Sequence, residues 1–194
     1  PCDKLRRLES GEKSRGARYS VGMPIDIRDL QSGDVAAITL MDGGYGWNPS
    51  RTLWDQYLFD QQTGARVIMV AWNGARPIGY GTLVWRSEYG PFRAQDIPEI
   101  NNLSTANEHR NRGVATAIIR SLEAVARTAG KHTVGMGVGL YADYGQAQRL
   151  YTRLGFYPDG RGVTYQGRTV EPGEQVWLDD DLILWRCRTV SGAP

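Results

Sequence analysis

The stretch from Arg110 to Ala115, RNRGVA, has no side chain that could serve as a nucleophile, and it places two small residues where an apolar helical pattern begins. If this stretch is a turn leading into a helix, its backbone N–H groups have no partners inside the helix, and the helix dipole favours negative charge beside them. Gly113 and Ala115 leave room for a bulky group near the backbone. These properties predict a binding site for an anionic ligand that carries phosphate.

Two common phosphate-binding motifs do not fit this stretch. A P-loop requires a second glycine followed by lysine, and a dinucleotide-binding fingerprint requires three glycines between parallel strands. A second glycine-rich segment, VGMGVG at 134–139, alternates glycine with apolar residues and leaves one face of a predicted strand bare. That face could accept either a ligand or a closely packed part of the protein, and the pattern does not decide between them.

The remaining pattern, Arg-x-x-Gly-x-Ala, resembles the Q/R-x-x-G-x-G/A loop that binds the pyrophosphate of acetyl-coenzyme A in the GNAT superfamily of N-acetyltransferases. Some thirty residues later, QAQRLYTRLGF is similar to the second signature of that family, A-x-x-L-Y-x-x-x-G-F, at Ala147, Leu150, Tyr151, Gly155 and Phe156. The resemblance extends over roughly 23–188, and its motifs are confined to 99–156. One departure is Tyr144, which stands where many members carry asparagine.

The resemblance implies that acetyl-coenzyme A is the co-substrate and that Tyr151 is the general acid. A phenol with a pKa near 10 can donate a proton to a leaving thiolate. The alternative role for Tyr151 is to fill the core, because it shares a helical stripe with apolar residues. The residues implied to contact the coenzyme are Leu103, Thr105, Arg110, Asn111, Arg112, Gly113, Val114 and Ala115.

Glu99 is the candidate general base, because it begins the predicted strand that leads to the loop, where some members of the family carry a catalytic glutamate. The alternatives are that Glu99 is a solvent-facing carboxylate at the end of a strand, or that ordered water takes the proton. Since a lysine-like amine has a pKa near 10.4, deprotonation at neutral pH benefits from a base.

Acidic and aromatic residues indicate where an amine acceptor could bind. Asp143, Asp179 and Asp180 could attract a cation, although a charge run can also be a solvated turn. Tyr45 and Trp47 lie in the loop between the first two predicted helices, where the family commonly builds its acceptor site. We therefore predict an N-acetyltransferase for a primary amine of a small molecule, such as an aminoglycoside-like antibiotic or a polyamine. The alternatives are acetylation of a protein lysine or N-terminus, and an acyl-coenzyme A sensor without catalysis.

These residues must be positioned by elements that alternate between helical and strand periods. The resulting order, β-α-α-β-β-β-α-β-α-β-β, together with the resemblance, predicts an α/β (α+β) single-domain GNAT fold: a mixed, mostly antiparallel sheet with helices on both faces. The elements are strands at 23–30, 65–72, 78–85, 99–105 and 132–139, a first helix capped by Ser32 that carries Val35 and Ile38, further helices at 50–61, 112–129 and 144–156, a loop at 87–98, and a closing strand within 175–188.

The chain of 194 residues contains 41% hydrophobic and 23% charged residues, as in a globular domain. A net charge of +2 makes nucleic acid an improbable partner. No apolar run is long enough to cross a membrane and no signal peptide is evident, so a cytoplasmic location is expected. The scattered cysteines and histidines predict no metal site. We expect a monomer or homodimer, with a basic extension at 1–20, the acetyltransferase domain at 21–190 and a tail at 191–194.

Overall fold

The computed structural model describes residues 24–41 and 50–190, which form one eight-stranded sheet in the order β1-β2-β3-β4-β5-β8-β6-β7. The predicted extension at 1–20, the tail at 191–194 and the residues Tyr45 and Trp47 lie outside this range. The strands are β1 (Asp26–Asp29), β2 (Arg66–Asn73), β3 (Arg76–Val84), β4 (Glu99–Thr105), β5 (Thr133–Gly139), β6 (Tyr157–Tyr165), β7 (Arg168–Thr169) and β8 (Leu182–Thr189). The helices are α1 (Val35–Thr39), α2 (Arg51–Gln62), α3 (Gly90–Ala94), α4 (Val114–Thr128) and α5 (Gly145–Arg153).

The first four strands form an antiparallel meander, in which each strand pairs with the next along the chain. A tight turn at Gly74, with φ of +59°, joins β2 to β3 at the predicted Asn-Gly position. Strands β4 and β5 are parallel, and α4 is the crossover between them. Strand β8 pairs antiparallel with both β5 and β6, so the sheet is mixed and mostly antiparallel, as predicted.

Helices cover both faces of the sheet. On one face, α1 and α2 pack on β2 and β3 through a core that includes Trp54, Ile68 and Tyr80. On the other face, α4 and α5 share a core with the strands, in which Ile118 and Leu122 of α4 are fully buried. The apolar positions of α4 recur every three or four residues, and this periodicity turns one stripe of the helix toward the sheet.

The bare face of β5 is covered by aromatic side chains. A Cβ atom on Gly135 would lie 2.1 Å from the ring of Phe92, and one on Gly139 would lie 2.4 Å from the ring of Tyr144. Trp185, from the neighbouring strand β8, borders Gly137 between them. The alternating glycines of β5 therefore provide the surface on which these rings pack. Of the two possibilities left open by the glycine pattern, a ligand or a closely packed part of the protein, the structure shows the second.

The largest difference from the predicted elements is α3, which lies within the segment predicted as a loop. This helix has five residues and begins with Gly-Pro, so it is too short to show an apolar period. Two longer helices are shorter than predicted. Helix α4 begins at Val114 because Gly113 adopts φ of +86°, and α5 ends at Arg153 shortly before Gly155, which has φ of +83°.

Candidate active site

The sheet opens between β4 and β5. Glu99 opposite Gly135 is the single residue pair that joins these strands in the described part of the chain, and the Gly135 N–H donates to the Pro98 carbonyl at 2.9 Å. Further along, β4 contains a bulge at Asn102, which has φ of +50°. The segment of β4 that carries Leu103 and Thr105 has no ladder with β5.

The loop after β4 brings the predicted phosphate-binding residues to the start of α4. Asn111 and Gly113 both lie in the left-handed region, with φ of +58° and +86°. Gly113 is the N-cap of α4, no side chain caps this end, and no acidic residue lies in the first turn. A Cβ at Gly113 would meet no atom within 4 Å, so the space beside the backbone is open. Uncapped N–H groups, an uncompensated dipole and open space fit a pyrophosphate group.

The side chains of this loop point in different directions. Asn111 and Arg112 are exposed, and Arg110 and Ala115 are half-buried. Val114 is buried in the core beneath α4, so only its backbone can face a ligand. At the edge of the loop Glu108 is paired with Arg76 of β3, so its negative charge is compensated. The loop consequently offers backbone donors and cationic side chains to an anion.

Tyr151 of α5 lies in the core shared with α4 and is 9% exposed. Its ring lies 6.3 Å from that of Phe156. Burial raises the pKa of Tyr151 to about 12. The phenol therefore stays protonated at neutral pH and retains a proton to donate. Its ring contributes to the core, as the alternative interpretation held.

Glu99 is buried, with 9% of its surface exposed, and so it is not the solvent-facing carboxylate of the alternative interpretation. The Ser87 hydroxyl donates to Oε2 at 2.6 Å, and the Asn101 amide donates to Oε1 at 3.4 Å. Burial raises the pKa of Glu99, while both hydrogen bonds and the charge of Arg66 act in the opposite direction. Glu99 therefore combines a raised pKa with a position at the one pair that joins β4 to β5 in the described residues.

Two of the predicted acceptor-side acids are held by tyrosines. The hydroxyls of Tyr141 and Tyr144 both donate to Asp180, the latter at 2.9 Å. The Tyr165 hydroxyl donates to Asp179 at 3.1 Å. The bonds to Asp180 tie the segment between β7 and β8 to the turn that precedes α5, and the bond to Asp179 ties it to β6. The third acid, Asp143, is exposed on that same turn.

The partners of Glu99, Asp179 and Asp180 were not predicted from sequence. Ser87 lies in the segment predicted as a loop. Asn101 reaches Glu99 because residues two apart in a strand lie on the same face of the sheet. Tyr141 and Tyr144 could have been found only from the aromatic pair that flanks the start of α5.

None of the described helices combines the length and apolar character that crossing a bilayer requires. In residues 24–41 and 50–190, no group of three or more His, Cys, Asp or Glu side chains is arranged to hold a metal ion.

Solved structures with a similar fold include the yncA protein of Salmonella typhimurium with its cofactor acetyl-CoA, at 18% identity and a TM-score of 0.63 over 88% of this chain and 96% of that one. A ribosomal-protein-alanine N-acetyltransferase of Brucella melitensis has 17% identity and a TM-score of 0.61 over 84% and 98%. A spermidine N-acetyltransferase chimera from Vibrio cholerae and hSSAT has 17% identity and a TM-score of 0.63 over 86% and 95%. At such identities these similarities concern the fold.

Sequence comparison found no match to a curated protein. The model of the acetyltransferase (GNAT) family matches residues 37–156, more than half of the chain. This range contains α4 with its uncapped start, strand β4 and helix α5. The resemblance seen in the two motifs is thereby confirmed, and the chain belongs to the GNAT family of acetyltransferases, which use acetyl-coenzyme A.

Proposed function

We propose that this protein transfers the acetyl group of acetyl-coenzyme A to a primary amine of a small molecule. The observation that carries this proposal is the uncapped start of α4, which follows directly from a strand that has separated from its parallel neighbour. Such an arrangement suits a long ligand with a pyrophosphate at the helix and an extended arm along the strand.

The coenzyme would be held mainly by backbone groups. N–H groups from Arg112 to Ala115 would bind its pyrophosphate, with Arg110 and Asn111 beside them. The backbone of Leu103 and Thr105 would bind the pantetheine arm along the unpaired part of β4. The coenzyme supplies an acetyl group on a thioester. Holding this group beside an amine accounts for much of the rate enhancement, up to about 7–11 kcal/mol in the best intramolecular reactions.

Two residues of the chain would move protons. Glu99 accepts a proton from the acceptor ammonium, directly or through a water molecule, because its pKa is raised and it lies where the strands part. Tyr151 donates a proton from its hydroxyl to the departing sulfur, because burial raises its pKa and keeps the phenol protonated. A base for the acceptor ammonium and an acid for the departing thiolate complete the transfer.

The acceptor is proposed to be cationic, such as a polyamine or an aminoglycoside-like antibiotic. Asp180 is oriented by tyrosine hydroxyls close to the start of α5, the helix that carries Tyr151, and the neighbouring Asp179 is held by Tyr165 of β6. One protein of similar fold is a spermidine acetyltransferase, which acts on a polyamine. A second candidate is a protein N-terminus, because another protein of similar fold is a ribosomal-protein-alanine N-acetyltransferase. Tyr45 and Trp47 are proposed to complete the acceptor site.

The test is to incubate the protein with acetyl-coenzyme A and a panel of polyamines, aminoglycosides, amino acids and peptides, and to follow the release of free thiol. Release with polyamines or aminoglycosides, above the rate without amine, supports the proposal. Release with peptides alone would establish the second candidate. Binding of acetyl-coenzyme A without release for any amine would instead establish a sensor without catalysis.

A further inference from the structure

The carboxylate of Glu99 is held from two sides, with one hydrogen-bond donor on each oxygen. Ser87, from the connection between β3 and β4, contacts Oε2, and Asn101, two residues further along β4, contacts Oε1. The two donors belong to two separate chains of polar contacts that run in opposite directions from Glu99. On each side, these contacts determine whether Ser87 or Asn101 turns a hydrogen-bond donor toward the carboxylate.

On the first side, the direction of the Ser87 hydrogen bond is determined by its neighbour. The backbone N–H of Tyr89 donates to the Ser87 oxygen at 3.0 Å, so the single hydroxyl hydrogen is left for Glu99 at 2.6 Å. Tyr89 is itself held in place, because its ring stacks on Trp185 at 4.2 Å and its hydroxyl donates to Asp159 at 2.7 Å. Ser87 is 1% exposed, which excludes exchange of this bond with water.

On the second side, Arg66 determines the orientation of the Asn101 amide. A guanidinium can only donate, so the atom of Asn101 that lies 3.2 Å from Arg66 must be the carbonyl oxygen Oδ1. Thr82 accepts from Arg66 at 2.9 Å and donates to the same Oδ1. The amide nitrogen is therefore turned toward Glu99. Arg66 is anchored in turn by Asp60 of α2 at 3.4 Å.

We infer that Ser87 and Asn101 are positioning residues that keep Glu99 ionised and hold its carboxylate in one orientation for the deprotonation of the acceptor amine. Both residues present hydrogens to Glu99 and neither presents an acceptor. The hydroxyl of a protonated carboxyl would therefore point at a donor hydrogen, whereas both oxygens of the ionised carboxylate accept a hydrogen bond, so these contacts favour the ionised form. This inference rests on the proposed function, because it assigns Glu99 the role of base.

Three further influences act on the same carboxyl. Burial favours the protonated form, and so does the charge of Glu88 on the β3–β4 connection, whereas the charge of Arg66 on β2 favours the ionised form. Removing the Ser87 hydroxyl takes away the hydrogen bond to Oε2, which lowers the pKa of Glu99 and so opposes the effect of burial. We expect the Glu99 pKa in Ser87→Ala to rise by about one unit, the size of change typical of losing such a bond.

The pKa of Glu99 can be measured without turnover, from the pH dependence of stability. Because the folded-state pKa is raised above the ordinary value of 4.5, stability from this group is fully present below pH 4.5 and is lost as pH rises through the folded-state pKa. The difference in unfolding free energy between the wild type and Glu99→Gln, measured across pH, gives that midpoint. The difference in unfolding free energy between Ser87→Ala and the double variant Ser87→Ala/Glu99→Gln gives the midpoint in the absence of the Ser87 hydroxyl.

Two matched variants control for general damage. Thr39→Val removes another hydroxyl hydrogen bond, that of Thr39 to the Val35 carbonyl at 2.7 Å in α1, outside the contacts that hold Glu99, and it should leave the midpoint unchanged. Ser87→Thr keeps the hydroxyl and should restore the wild-type midpoint. A midpoint in Ser87→Ala equal to that of the wild type would overturn the inference.

The second readout is the pH profile of kcat. Ser87→Ala should lose about tenfold at the acidic end and recover to near wild-type rates at alkaline pH, because a raised pKa only delays ionisation. A loss of equal size at every pH would mean that Ser87 supports the fold and not the base, and would overturn the inference. If no amine in the panel releases thiol, the proposed function fails, whereas the stability midpoints still report whether Ser87 controls Glu99.

Discussion

Replacing Gly135 with alanine should destabilise the protein by about 2–3 kcal/mol, because the added methyl group would enter the ring of Phe92. Three atoms of that ring lie 2.1, 2.4 and 2.6 Å from the position of the new Cβ, where real Cβ contacts exceed 3.0 Å. The ring cannot move freely, since it meets Tyr89 at 4.9 Å and Trp185 at 5.5 Å. Phe92 must therefore shift together with α3.

The assay is urea unfolding combined with thermal melting of matched variants. For a chain of this size, the expected loss corresponds to a decrease in Tm of about 4–12 °C. Gly90→Ala is the control, because Gly90 belongs to the same helix α3 and a Cβ there would meet nothing within 4 Å. That variant should remain within about 0.5 kcal/mol of the wild type.

A second-site change tests the cause. Phe92→Leu alone should cost stability, but in the Gly135→Ala background it should recover part of the loss, because the smaller side chain makes room for the methyl group. If Gly135→Ala is as stable as the wild type, or if the two changes are simply additive, the packing of Phe92 on this glycine is not what requires the small residue.

Three further variants test the site and its support. Tyr151→Phe should lower kcat by about tenfold or more with unchanged affinity for acetyl-coenzyme A in calorimetry, and a fully active variant would remove the hydroxyl from the mechanism. Gly113→Val should weaken acetyl-coenzyme A binding by about tenfold, because φ of +86° is strained for a branched residue, and an unchanged Kd would contradict the role of this backbone. Glu123→Gln should cost about 3 kcal/mol in urea unfolding, because it leaves Arg188, 3.0 Å away, without its buried partner, whereas Arg120→Ala should cost at most about 1 kcal/mol; equal costs would refute this.

The sequence predicted those parts of the fold that have strong local patterns. Strand β4 has the predicted bounds, and α4 differs from the prediction by two residues at its start and one at its end, because its apolar stripe is long and unbroken. The family was predicted from two short motifs and is confirmed. Helix α3 was not predicted, since five residues carry too little periodicity and its stability comes from Phe92 packing on β5.

The environment of each candidate residue could not be predicted, because it depends on contacts between distant segments. Glu99 was identified by its place before the loop, but the orientation of its partner Asn101 depends on Arg66, thirty-five positions away in the chain. Asp180 could be seen only as one of three successive acids, and its two tyrosine partners come from the turn before α5. The roles of the site residues, the cytoplasmic location and the oligomeric state remain predictions.

The position of β8 between β5 and β6 affects how the chain is made. Both neighbours precede β8 in the chain, so during synthesis they leave the ribosome before the strand that pairs with them. The β2–β4 meander pairs strands that are close in the chain and can form early, whereas β5 keeps an unpaired edge until 182–189 is available. A nascent chain stalled before β8 would therefore expose a strand edge that favours aggregation, and chaperone binding should be greatest in that interval.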